Sequence, residues 1–243
     1  ISKVLPELVG IVEWLSELPK NYSGVVIANE VLDAMPAKRL MFSDGSFFEL
    51  GVGYIDEQFQ WSLFDEPYSG LMKMPTDNFI EGYKTEINLQ ALAWIKSLYD
   101  TMSDGVVLLI DYGMDRTEYF HPQRSEGTLR CYYKHKASDN PFENVGKQDI
   151  TTSVNFSDIA DQASDSGFEV LGYSNQAMFL LSLGIEDYLL EVKDNAKRIQ
   201  LAQQIKQLVL PSAMGESFKV LALSKKHTVK LDGFREQDLA CKL

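Results

Sequence analysis

Two short runs of aliphatic and β-branched residues constrain this chain more than any other feature. Val25-Val26-Ile27-Ala28 follows the turn formers Asn21-Tyr22-Ser23-Gly24, and Val106-Val107-Leu108-Leu109-Ile110 follows Ser103-Asp104-Gly105. Near-continuous apolarity over four or five residues predicts strands covered on both faces, as in a parallel sheet. Residues 168–173 and 218–223 are two further strand candidates. Between them, Leu89, Leu92, Ile95, Leu98 and Tyr99 form a helical stripe, and residues 156–164 read as a second helix. From Ile185 to Val209 apolar residues keep steps of three and four until Pro211, which predicts one long helix. Strands alternating with helices predict an α/β fold with a doubly wound sheet.

Two segments break the alternation. Residues 38–64 read as an inserted antiparallel hairpin region, with turns at Asp44-Gly45 and Asp56-Glu57. Residues 114–152 are long, polar and aromatic-rich, which predicts a loop or lid after a sheet strand.

Charge narrows the partners. With 23 Lys and Arg against 35 Asp and Glu, the formal net charge is −12. Nonspecific nucleic-acid binding relies on cations that neutralise phosphates, so no nucleic-acid partner is expected. The apolar runs are too short to span a bilayer, so no membrane partner is expected. Cys131 and Cys241 stand far apart without a zinc-ligand pattern, which predicts free thiols in a reducing compartment and no metal.

In an open α/β sheet, ligands gather beyond the carboxyl ends of the strands. That rule selects Asn29-Glu30-Val31-Leu32-Asp33-Ala34-Met35-Pro36 and Asp111-Tyr112-Gly113. Carboxylates at Glu30 and Asp33 suit a cationic substrate or an amino group; Asp33 equally suits a helix cap, and Glu30 a solvated surface. Asp111 could cap a turn. In the segment from Gly127 to His135, alternation places Arg130 and Tyr132 on one face and Tyr133 and His135 on the other. A lone histidine is more often structural than catalytic. There is no nucleophile elbow, Walker A loop, H-E-x-x-H or G-x-G-x-x-G.

Taken together, six segments in order resemble the MidA family of S-adenosylmethionine-dependent methyltransferases, a class I, Rossmann-like fold. They are Ala28 to Pro36, Leu109 to Gly113, Gly127 to His135, Gln148 to Phe156, Gln176 to Leu180 and Met214 to Lys219. The family includes a mitochondrial enzyme that assists respiratory complex I assembly. The resemblance implies S-adenosyl-L-methionine as cofactor, methylation of arginine on a protein substrate, and a cytoplasmic location in bacteria or a mitochondrial-matrix one in eukaryotes. It implies catalytic roles for Glu30 and Asp33. It places Asn29, Glu30, Trp14 and Leu15 at the cofactor, and Asp111, Tyr112, Arg130 and His135 at the substrate.

The family's glycine-rich loop after the first strand and acidic residue after the second have no counterpart here. Residues 11–19 resemble the third-strand region. The expectation is therefore a partial methyltransferase domain over residues 1–243, from a sheet ordered 3-2-1-4-5-7-6 that lacks its first strands and leaves the Val25 strand with an unpaired edge. Such a chain should bind the cofactor weakly and be inactive alone, with the edge covered by residues 1–19 or by another chain, as in a homodimer. An adenine-N6 enzyme would place Asn or Asp before Pro-Pro and an aromatic, whereas Asn29 precedes Glu30-Val31. A non-catalytic assembly factor or protein-binding module on the same fold is the alternative reading.

Overall fold

A computed structural model describes residues 8–70, 73–74, 79–134 and 136–243. In chain order the first elements are β1 (Tyr22–Asn29), β2 (Lys38–Ser43), β3 (Ser46–Ile55), β4 (Gln58–Pro67), β5 (Lys84–Ile87), α1 (Leu89–Thr101) and β6 (Met102–Met114). Then come α2 (Arg116–Tyr119), β7 (Arg130–Tyr133), β8 (Lys136–Ser138), β9 (Asp149–Thr151), β10 (Val154–Asn155) and α3 (Phe156–Ser166). The chain ends with β11 (Glu169–Asn175), α4 (Gln176–Ser182), α5 (Asp187–Glu191), α6 (Asn195–Val209) and β12 (Phe218–Lys225).

The central sheet runs β1-β6-β12-β11. β1 lies parallel to β6, with Val25 opposite Val106 and Asn29 opposite Ile110. β12 is antiparallel to both of its neighbours, β6 and β11. This is the 4-5-7-6 half of the order that the resemblance implied, with one strand reversed. Where β1 leaves β6, the two-residue β10 takes over the same edge and pairs Val154 with Gly113. Gly113 is required there, because a Cβ would overlap the Val154 carbonyl oxygen.

Pleating sorts β6 into two cores. Val107 and Leu109 join Ala28, Ile95, Phe156, Tyr173 and Leu221 under α1 and α3. Leu108 and Ile110 pack instead with Phe179, Val220, Ala222 and Phe234 on the α4 side. Full burial of each large apolar side chain contributes about 1.5–3 kcal/mol, so β6, covered on both faces, anchors the domain.

β1 is covered on one face only. Val26 and Ala28 pack inward, whereas Val25 and Ile27 are 59% and 67% exposed. Its outer edge pairs with no strand among the described residues. Residues 8–19 are irregular rather than a third strand, because a strand needs a hydrogen-bonded neighbour and none lies beside them. Only Leu18 of this stretch packs on the core.

The remaining strands form two smaller sheets. β4-β3-β2-β5 is antiparallel, and its turns place Asp44, Gly45, Asp56 and Glu57 at positive φ, as hairpin turns with right-handed twist require. β8-β7-β9 lies within the 114–152 segment, which is therefore partly built of strands. The expected helix from Ile185 to Val209 is broken into α5 and α6. Val192 is extended, and the Asp194 carboxylate accepts the Lys197 N–H at 2.9 Å, restarting the helix with a side-chain cap.

Candidate active site

The chain leaves β1 through a loop fixed from three sides. Glu30 takes φ 51°, and its N–H donates to the Ile110 carbonyl at 2.9 Å. Asp111, at the matching point of β6, holds the next residues. One carboxylate oxygen accepts the N–H groups of Leu32 (3.0 Å) and Asp33 (3.3 Å), and the other accepts that of Tyr112 (2.9 Å). From the helix side, Asn88 donates to the carbonyls of Leu32 (2.9 Å) and Met35 (3.2 Å) while its oxygen caps α1 through Ala91. From the lid side, the Thr152 N–H donates to the Asp33 carbonyl at 3.1 Å.

This clamp puts Asp33 between two cavities. The larger, about 1090 Å³, is lined by Glu30, Asp33, Tyr112, Tyr132, Gln148 and Thr151, among others. The smaller, about 560 Å³, is walled by the β3–β4 hairpin and residues 141–152 and again reaches Asp33. Asp33 is 5% exposed, and its Oδ1 has no hydrogen-bond partner in the chain. The Tyr112 hydroxyl and Thr151 Oγ1 are likewise buried without partners. Leaving such groups unpaired costs free energy, so three of them around one cavity mark a place for a polar ligand.

The electrostatics follow from burial. Desolvation raises the Asp33 carboxyl above its ordinary value; the Tyr112 hydroxyl opposes this and the nearby Glu30 charge adds to it. Desolvation, then the Asp33 charge, raise Asp111 to about 7 against the three N–H donors. The Tyr112 phenol is also raised, chiefly by burial, and stays a neutral hydroxyl.

The structure brings Glu30, Asp33 and Tyr112 to one cavity. Asn29 lines neither cavity; it donates to Glu30 Oε1 at 3.3 Å. Asp111 is not at the substrate surface. It is 1% exposed and both its oxygens are engaged, so it positions Asp33 from behind. Arg130 lines neither cavity and pairs instead with Asp139 at 2.7 Å, although Tyr132 on the same face of β7 does line the larger one. Trp14 and Leu15 are solvent-exposed in the irregular 8–19 stretch and line neither cavity. His135 lies outside the described residues. Sequence reasoning missed Asn88, whose only signal is its place before a helical stripe, and Trp61 and Phe142, which read as ordinary hairpin and loop aromatics.

A family described as "Putative S-adenosyl-L-methionine-dependent methyltransferase" matches residues 2–174, about seven-tenths of the chain. The chain belongs to that family. Curated relatives include a mitochondrial protein arginine methyltransferase NDUFAF7 homolog of Drosophila melanogaster, 24% identical over 223 residues, and mitochondrial protein arginine methyltransferase NDUFAF7 of Bos taurus, 29% identical over 225. They match 86% and 87% of this chain, which spans 48% of each of them. Among solved structures, a COG1565 superfamily member from Burkholderia thailandensis bound to S-adenosyl-homocysteine superposes with a TM-score of 0.91 at 35% identity. A second, native structure of a COG1565 superfamily protein from that organism gives 0.92 at 35%. All of this chain is covered in both, against 64% and 66% of theirs.

S-adenosylmethionine is the cofactor of this family. The unpartnered carboxylate oxygen of Asp33 and the carboxylate of Glu30 suit a cationic group at this cavity. Two cysteines are free, no cluster of potential metal ligands exists among the described residues, and no described helix is long and apolar enough to cross a membrane.

Proposed function

We propose that the whole protein methylates arginine on a protein substrate, with Asp33 and Glu30 as the catalytic carboxylates. The observation that carries this reading is the buried Asp33 oxygen left without a partner where the two cavities meet. A guanidinium is always protonated and offers paired N–H donors, so a carboxylate orients it far better than a neutral acceptor would.

Bound S-adenosylmethionine supplies an electrophilic methyl on a sulfonium. The chain's own residues prepare the nitrogen that receives it. Asp33, held by Asp111 and the Thr152 N–H, accepts the substrate's N–H groups. Glu30, opposite on the larger cavity, accepts a second set and localises the lone pair on the reacting nitrogen. As the N–C bond forms, that nitrogen gives up a proton, and Asp33 is suited to take it because burial raises its affinity for protons. Tyr112, a neutral hydroxyl beside Asp33 on the same cavity, favours the charged form of that carboxylate.

The 243 residues hold the acceptor side of the site and bind the cofactor weakly by themselves. The names of the curated relatives support a mitochondrial location if the source is eukaryotic.

The test uses the whole protein, methyl-labelled S-adenosylmethionine and an array of arginine peptides, with labelled residues identified after acid hydrolysis. Label is expected on methylarginine, and Asp33→Asn should lower transfer by about 100-fold or more. Label on lysine, or unchanged transfer by Asp33→Asn, refutes the reading. Peptide binding without any transfer would instead favour a protein-binding module.

A further inference from the structure

The 560 Å³ cavity is more apolar than a guanidinium alone requires, and within the range of sites that bury a whole ligand. One wall is the inner face of the β3–β4 hairpin. Val52 pairs with Trp61 and Tyr54 with Phe59 across the two strands, so these four side chains share that face. The facing wall comes from Phe142, Val145 and Ile150, with the Phe142 ring edge-on to Trp61 at 5.1 Å between centroids. Val52, Phe59, Val145 and Ile150 remain 45–59% exposed, so both walls are open to a partner along their length.

The slot's lining includes Asp33, whose Oδ1 is buried without a partner, whereas the other charged side chains of the lining pair with one another, Lys38 with Glu49 and Arg39 with Glu86. Apolar walls that include such a carboxylate complement a cationic residue set among apolar neighbours. The net charge of −12 favours such a partner over an acidic one. Continuity through Asp33 lets the acceptor segment arrive from the hairpin side with its arginine directed toward the cavity that Glu30 lines.

We propose that the acceptor polypeptide docks between the β3–β4 hairpin and residues 141–152, its arginine reaching Asp33 and a large apolar neighbour seated against Phe59, Trp61, Phe142 and Val145. This rests on the arginine reading above and adds a selection rule: an arginine flanked by aromatic or large aliphatic residues is preferred. Burial of one such flanking side chain gives about tenfold tighter binding.

The experiment measures binding calorimetrically with the 243-residue chain and needs no cofactor. Three capped peptides are compared: arginine flanked by phenylalanine, arginine flanked by alanine, and citrulline flanked by phenylalanine. The phenylalanine-flanked arginine peptide should bind about tenfold more tightly than the alanine-flanked one. Phe142→Ala and the surface substitution Val145→Gln should each reduce that ratio toward one. Citrulline should weaken binding to the unmodified chain but not to Asp33→Asn. Equal binding of both flanks, or a ratio unchanged in both wall variants, overturns the docking inference and leaves the Asp33 reading intact. Citrulline bound as tightly as arginine, with the flank ratio preserved, overturns the arginine reading and with it the substrate class named here.

Discussion

Replacing Asp111 by asparagine isolates the group that positions Asp33. In the native chain both Asp111 oxygens accept backbone N–H groups, from Leu32, Asp33 and Tyr112. An asparagine keeps one acceptor, most favourably toward Leu32 and Asp33, and turns an N–H₂ against the Tyr112 N–H. One lost hydrogen bond to a buried donor costs about 1–3 kcal/mol. The substitution also removes a buried charge beside Asp33. Raising Asp111 from 3.8 to about 7 means that the folded chain binds more protons than the unfolded chain between those values. At about 1.4 kcal/mol per tenfold, stability falls by about 4 kcal/mol as pH rises through that window. The contribution is complete below pH 4 and gone above pH 7. Asp111→Asn lacks this slope, so its stability relative to the parent should improve by about 2 to 3 kcal/mol between pH 5 and pH 7. Urea unfolding followed by tryptophan fluorescence at several pH values measures the difference. Parallel stability profiles for the two proteins would refute the assignment of Asp111 as a strained buried carboxylate.

Two further outcomes test the frame around the site. Glu86 is 3% exposed, held by the Thr128 N–H (2.7 Å) and hydroxyl (2.9 Å), and lies 3.4 Å from Arg39 Nε, while burial raises its pKa. Arg39→Ala should cost about 3–5 kcal/mol at pH 8, and the deficit should shrink toward pH 5 as the orphaned carboxyl takes up a proton; a pH-independent deficit counts against this. Gly105 has φ +135° where β6 begins beside β1, and a Cβ there would overlap the Gly24 carbonyl oxygen. Gly105→Ala should therefore lose at least about 2 kcal/mol, against about 1 kcal/mol for the open turn residue Gly45; thermal unfolding with equal losses would be the contrary result.

The strands and helices of the central sheet were legible because their signals are local. Val106 to Ile110 is apolar at every position, and such a run is stable only when both faces are covered, as they are. The hairpin turns were legible because Asp-Gly and Asp-Glu tolerate positive φ. Less legible were β7 to β9 and β5, whose three or four residues carry too little periodicity to separate from loop. The break at Asp194 was hidden because capping competes with helix propagation at a single residue, while the apolar stripe continues on both sides.

Sequence alone picked out the carboxylates that follow the two apolar runs, although β6 continues through Asp111 to Met114. It could not separate their roles. Asp33 and Asp111 are chemically identical side chains, yet one keeps an unpaired oxygen in a residue lining two cavities while the other spends both oxygens on backbone donors. That difference depends on where residues distant in the chain, Asn88, Tyr112 and Thr152, place their hydrogen bonds. Only the packed tertiary structure decides it.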